Sequence, residues 1–109
     1  MYLPSHFEET RLEELHRVIV EHPLGALVMN GPDGLDANHI PFLLDADAAP
    51  HGRLLAHVAR ANPVWREARD GEPVLVIFRA AGAYISPNWY PSKHETHRQV
   101  PTWNYQAVH

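Results

Sequence analysis

Between residues 10 and 22 the apolar positions recur at helical spacing. Leu12, Leu15 and Ile19 fall on one face with Val18 beside it. The spacing predicts a helix here, with Thr10 as N-cap and Glu13 three residues on completing a capping box. Glu8, Glu9, Glu13 and Glu14 gather near the positive end of the helix dipole, and Pro23 with Gly25 stops the helix.

Beyond residue 23 the period changes to two. Leu24 to Asn30 reads as a strand, and Gly31-Pro32-Asp33-Gly34 is strong turn chemistry. Leu35 to Asp45 is the returning strand, with Ile40, Phe42 and Leu44 on one face and Ala37, His39 and Pro41 on the other. Pro41 has no N–H for a ladder, so it belongs at an edge or a bulge. A polar Ala/Pro-rich loop runs from Asp45 to Gly52, and Arg53 to Ala59 reads as a third strand. Asn62-Pro63 predicts the start of a short helix reaching about Arg69, with Asn as N-cap and Pro at the first helical position. Pro73 to Arg79 is β-branched and apolar enough to be buried on both faces. Ala83 to Ser86 and Thr102 to His109 read as strands, flanking an irregular loop over residues 87–101. The order α-β-β-β-α-β-β-β, with antiparallel hairpins, predicts a mostly β, α+β fold: a small barrel or sheet.

Composition narrows the function. At 109 residues the chain is a single domain or part of one. It has no cysteine, so disulfides and thiolate chemistry are excluded. No apolar run approaches the roughly 20 residues that span a bilayer, and the N-terminus lacks the plan of a signal peptide, so the cytoplasm is the expected compartment. Formal charge is −4 and Lys93 is the only lysine. With its arginines scattered and no basic stripe, the chain is not expected to bind DNA directly.

Candidate chemistry lies in two places. In His57-Val58-Ala59-Arg60-Ala61-Asn62-Pro63 a strand end, an arginine and a helix start follow one another. A guanidinium fork beside free helix N–H groups suits a phosphate. The alternative is a plain connector with Arg60 in solvent. The second place is aromatic: two of the three tryptophans and three of the four tyrosines lie between Tyr84 and Tyr105. Rings beside Asn, Ser and Thr can line a slot for a flat, polar-edged ligand. Judged on the rings alone, packing of a small core is the stronger reading. Asn38 and His39, ahead of Pro41, are a weaker candidate for a ligand edge. His94-Glu95-Thr96-His97 lacks the H-E-x-x-H spacing of a zinc helix and reads as a solvated face. No metal site and no catalytic acid, base or nucleophile is assigned.

Several of these runs occur together in an order that resembles a known family. They are Pro4-Ser5-His6-Phe7, His22-Pro23-Leu24-Gly25, His39-Ile40-Pro41-Phe42, His57 to Pro63, Ala83-Tyr84-Ile85-Ser86-Pro87-Asn88-Trp89-Tyr90, and Val100-Pro101-Thr102-Trp103-Asn104-Tyr105. The chain resembles, over essentially its whole length, the PaiB-type FMN-binding negative transcriptional regulators. The resemblance implies an FMN-binding split barrel, usually a homodimer with flavin in the groove between protomers. It further implies Arg60 and Asn62, with His57, near the FMN phosphate. Asn38 and His39 would lie toward the ribityl chain or ring edge, and Trp103, Asn104 and Tyr105 along the isoalloxazine, across the dimer. Family members continue past the Trp-Asn-Tyr motif, so residues 1–109 are expected to be the N-terminal part of a longer domain. A flavin-dependent oxidoreductase or flavin reductase is the alternative to a regulator, and a dimerisation module without ligand is a third reading.

Overall fold

The computed structural model describes residues Met1–His109. After a 3-10 turn at Ser5–Phe7, helix α1 covers Leu12–Glu21. Strands β1 (Leu24–Gly31) and β2 (Gly34–Asp45) form a hairpin in continuous antiparallel register from Leu24↔Pro41 to Gly31↔Gly34. They are followed by β3 (Arg53–Ala56), the single-turn helix α2 (Val64–Glu67), β4 (Leu75–Arg79) and β5 (Ala83–Ile85). A 3-10 turn at Pro87–Trp89, helix α3 (Ser92–Thr96), β6 (Thr102–Asn104) and β7 (Ala107–Val108) complete the order. The antiparallel sheet runs β3-β2-β1-β4-β7, and β5 pairs with β6. The fold is therefore mostly β with short helices, as the pattern predicts. The sheet does not close on itself: β3 and β7 are its two edges.

Helix α1 lies against β2, β4 and β7. The small buried core is made of Val18, Ile19, Met29, Ile40, Val64 and Phe78, where Phe78 is 2% exposed and packs edge-on to Phe42 at 5.6 Å. Gly25 leaves room for this cluster, because a Cβ there would stand 2.8 Å from the Phe78 ring. Elsewhere the chain is open. It exposes 8662 Å², whereas a compact monomer of this mass exposes about 6100 Å². Its radius of gyration is 18.1 Å, against roughly 13 Å for a compact chain of about this length.

The helix start differs from the predicted capping box. Helix α1 begins at Leu12 with no side-chain cap. Arg11, extended, takes the cap position in place of Thr10, and Glu9 holds it there, accepting from the Arg11 backbone N–H at 2.9 Å and from the Arg11 guanidinium at 2.7 and 3.0 Å. Those bonds hold the Glu9 carboxyl down to about 2 from an ordinary 4.5. A depressed carboxyl stabilises the fold above its ordinary value and ceases to do so as pH falls through the folded one. Thermal melts of wild type and Glu9→Gln should therefore differ above about pH 4.5 and converge as the pH approaches 2.

Three further expectations are corrected. The segment 87–101 is not irregular, since it forms a 3-10 turn and α3, folded by bonds from Thr96 to the Ser92 carbonyl and from Lys93 to the Gln99 carbonyl. The strand at Pro73 to Arg79 is shorter, and only Phe78 within it is buried, because α1 covers one face while the sheet stays open on the other. The last strand is divided into β6 and β7. His97 closes α3 in the left-handed region at φ 54°, a conformation costly to a side chain with a Cβ. Glycine removes a left-handed cost of about 1–2 kcal/mol and adds about 0.5–1 kcal/mol of unfolded-chain entropy, so His97→Gly should raise stability modestly, read as a higher urea midpoint at constant slope.

Candidate functional site

Pro41 builds the first half of the site. It is the last residue of β2 paired with β1, and β2–β3 pairing starts one residue later at Phe42↔Ala56. Continuing β3 would set His57 opposite Pro41, which has no N–H to offer. The strand therefore ends at Ala56, three residues short of the predicted Ala59, and the chain turns away as the segment His57–Pro63. A backbone bond from Asn62 N–H to the Ala59 carbonyl (2.8 Å) tightens the turn.

Asn62 then makes two side-chain bonds. Its Oδ1 accepts from the Val64 N–H at 2.9 Å, the capping role expected of it, and its Nδ2 donates to Asn38 Oδ1 at 2.9 Å. Asn38 in turn donates to Asp36 at 2.6 Å. Each amide has two N–H donors, so one on Asn38 and one on Asn62 remain free of protein partners. Arg60, between them along the chain, is exposed and makes no ion pair, unlike Arg11, Arg17, Arg53 and Arg69. His57 is exposed as well. The structure thus brings Asn38 and Asn62 together on the turn that carries Arg60 and His57. His39 lies on the other face of β2, with Pro41 and Leu43, because side chains alternate along a strand.

The predicted helix end contributes little. Helix α2 is four residues long rather than reaching Arg69, and the Val64 N–H is already taken by Asn62. Any anion here relies on the Arg60 guanidinium and the two amides. Trp65, which sequence reasoning passed over, donates its indole N–H to the Arg60 carbonyl at 3.1 Å. Its position five residues past Arg60, behind Asn-Pro, was the only signal.

The second half is an arm. Strands β4–β5 and β6–β7 run as one two-stranded ribbon, joined across the gap by the Ala80 N–H to the Gln106 carbonyl. Gly82 permits the close approach, for a Cβ would come within 2.9 Å of the Asn104 carbonyl. Trp103 meets Tyr84 edge-on at 6.1 Å, and the Arg79 guanidinium lies 5.5 Å from the Tyr105 ring centre. Asn104 and Tyr105 line a shallow cavity of about 390 Å³ with His22 and Gly82, and with Trp103 they line a larger one of about 720 Å³ against the N-terminal segment. The rings do not pack a core: Trp103 is 58% and Tyr105 52% exposed. No hydrogen bond links the arm residues to Asn38, His39, His57, Arg60 or Asn62, and neither cavity is lined by that group.

The family model described as "Putative FMN-binding domain" matches residues 1–109. The chain is 38% identical over 109 residues to protease synthase and sporulation protein PAI 2 of Bacillus subtilis, matching all of this chain and 50% of that protein. It is 36% identical over 128 residues to an uncharacterised protein of Saccharomyces cerevisiae, of which it covers 75%. An uncharacterised Aspergillus fumigatus protein is 30% identical, with 53% of its length covered. The chain thus spans three quarters of the yeast relative and about half of the other two. It belongs to this FMN-binding domain family, whose cofactor is FMN. The donors present suit that cofactor: an unpaired guanidinium and two spare amide N–H groups match a phosphate, and exposed indole and phenol rings match a flat tricycle.

Proposed function

We propose that this chain is the FMN-binding part of a negative transcriptional regulator that reports flavin or redox state. In this reading Arg60 and Asn62, with His57, hold the FMN phosphate, and Asn38 contacts the neighbouring ribityl chain. Trp103, Asn104 and Tyr105 cover the isoalloxazine of a flavin held by a second protomer, and His39 on the reverse of β2 approaches the ring edge. Bound flavin supplies hydride and electron chemistry; the side chains named here place it and shield it from water.

The observation that carries the reading is the turn at residues 57–63, where Arg60, which makes no ion pair, lies two residues before Asn62, and Asn62 and its partner Asn38 each keep a free donor. The exposed area supports a homodimer. Each protomer shows roughly 2500 Å² more surface than a compact monomer, so two copies carry about 5000 Å², at the upper end of what permanent dimers bury in total. The arm's exposed rings lie apart from the turn, so a second copy completes the site. Regulation is supported by the name of the Bacillus subtilis relative, which ties that protein to protease synthesis and sporulation. The acidic balance argues that this segment acts without gripping DNA itself. No helix is long and apolar enough to cross a membrane, and we place the protein in the cytoplasm. We further take residues 1–109 as a single split-barrel unit, the N-terminal part of a longer family domain.

The test is FMN titration of the full-length parent and of this chain, with sedimentation at each flavin level. One flavin bound per protomer, in a dimer, supports the reading; a monomer that binds no flavin contradicts it. Steady NAD(P)H consumption with added FMN identifies a reductase instead, and a DNA mobility shift by this segment alone at 0.15 M salt removes the indirect mode of regulation.

A further inference from the structure

We propose that Trp65 is a positioning residue for the FMN phosphate, its indole N–H fixing the Arg60 carbonyl and so setting where the Arg60 guanidinium stands. The inference rests on the assignment of Arg60 made above. Residues 57–63 have no strand or helix to hold them. Two side-chain bonds take over that task. On one side Asn62 ties the turn to β2 through Asn38, and on the other Trp65 Nε1 reaches back five residues to the Arg60 carbonyl at 3.1 Å.

Trp65 is 54% exposed, so burial explains little of its placement. A half-exposed indole whose one polar atom bonds a particular carbonyl is held for that bond. The Arg66 guanidinium, 5.3 Å from the ring centre, steadies the ring's face. The long Arg60 side chain would otherwise sample many positions. Anchoring its backbone from both sides lowers what must be ordered when phosphate arrives.

FMN and riboflavin differ only in the phosphate, so comparing them isolates this role. Trp65→Phe keeps a ring and removes the N–H. Replacement of Trp65 by 3-benzothienylalanine keeps the bicyclic shape and removes the same N–H, which covers the case of a poorly folded phenylalanine variant. Both ligands are titrated by flavin fluorescence against each variant and against Arg60→Ala. The expected result is a fall in FMN affinity of about three- to tenfold, the worth of one neutral hydrogen bond, with riboflavin affinity unchanged. Equal losses for both ligands, or no loss of FMN affinity while Arg60→Ala reduces it, overturn the role of Trp65 alone. If Arg60→Ala leaves FMN affinity intact, the phosphate assignment fails first and takes this inference with it.

Discussion

Replacing Arg60 with alanine should lower FMN affinity about 10- to 100-fold and leave riboflavin affinity where it was. Hydrogen bonds to charged groups contribute about 1.5–3 kcal/mol each, and each 1.4 kcal/mol is tenfold in affinity. The guanidinium has no carboxylate partner to release, so nothing in the protein offsets its loss. Arg60→Lys should recover part of the affinity, because the charge stays while the two-pronged geometry goes. The change lies on an exposed turn and should not move the melting temperature of the flavin-free protein. The deficit should widen at low ionic strength and narrow at high, since the contact is partly a screened attraction.

Truncating Phe78 to alanine should cost about 3–5 kcal/mol. Phe78 is the most deeply buried large side chain, and it joins Phe42 across the sheet beneath α1. Few residues share the load: the apolar core is Val18, Ile19, Met29, Ile40, Val64 and Phe78. Domains are stable by only about 5–15 kcal/mol, so the variant should lose a large share of its stability. Because FMN binds only the folded form, flavin at about 100 times its dissociation constant should restore roughly 2.7 kcal/mol. Chemical denaturation with and without FMN measures both effects. Unaltered stability in the variant would place the hydrophobic centre elsewhere.

Much of the fold was legible because local chemistry and global pairing agree. The β1–β2 hairpin follows from alternation plus Gly31-Pro32-Asp33-Gly34, and Pro41 lies at a ladder's end as its missing donor requires. Asn62 caps α2 through its side chain as Asn-Pro predicts. The misses come from interactions that spacing does not encode. The cap position moved from Thr10 to Arg11, which three local bonds to Glu9 hold extended. The end of β3 at Ala56 depends on which residue faces Pro41, a matter of register between distant segments. Likewise, the exposure of Trp103 and Tyr105 depends on how far the sheet closes, which ring content alone leaves open. In the candidate site, the Asn38–Asn62 bond spans 24 residues and appears only once the strands are paired. Trp65 stands alone in a single helical turn, with no periodic pattern to single it out.

The central claim is that the turn at residues 57–63 grips the phosphate of FMN while aromatic residues of a second copy cover the ring. A crystal structure of the FMN complex tests it most directly. The account predicts a phosphate oxygen within about 3 Å of the Arg60 guanidinium, with Trp103 or Tyr105 of the other protomer against the isoalloxazine. A phosphate bound away from residues 57–63, with the arm's rings turned from the flavin, would contradict it.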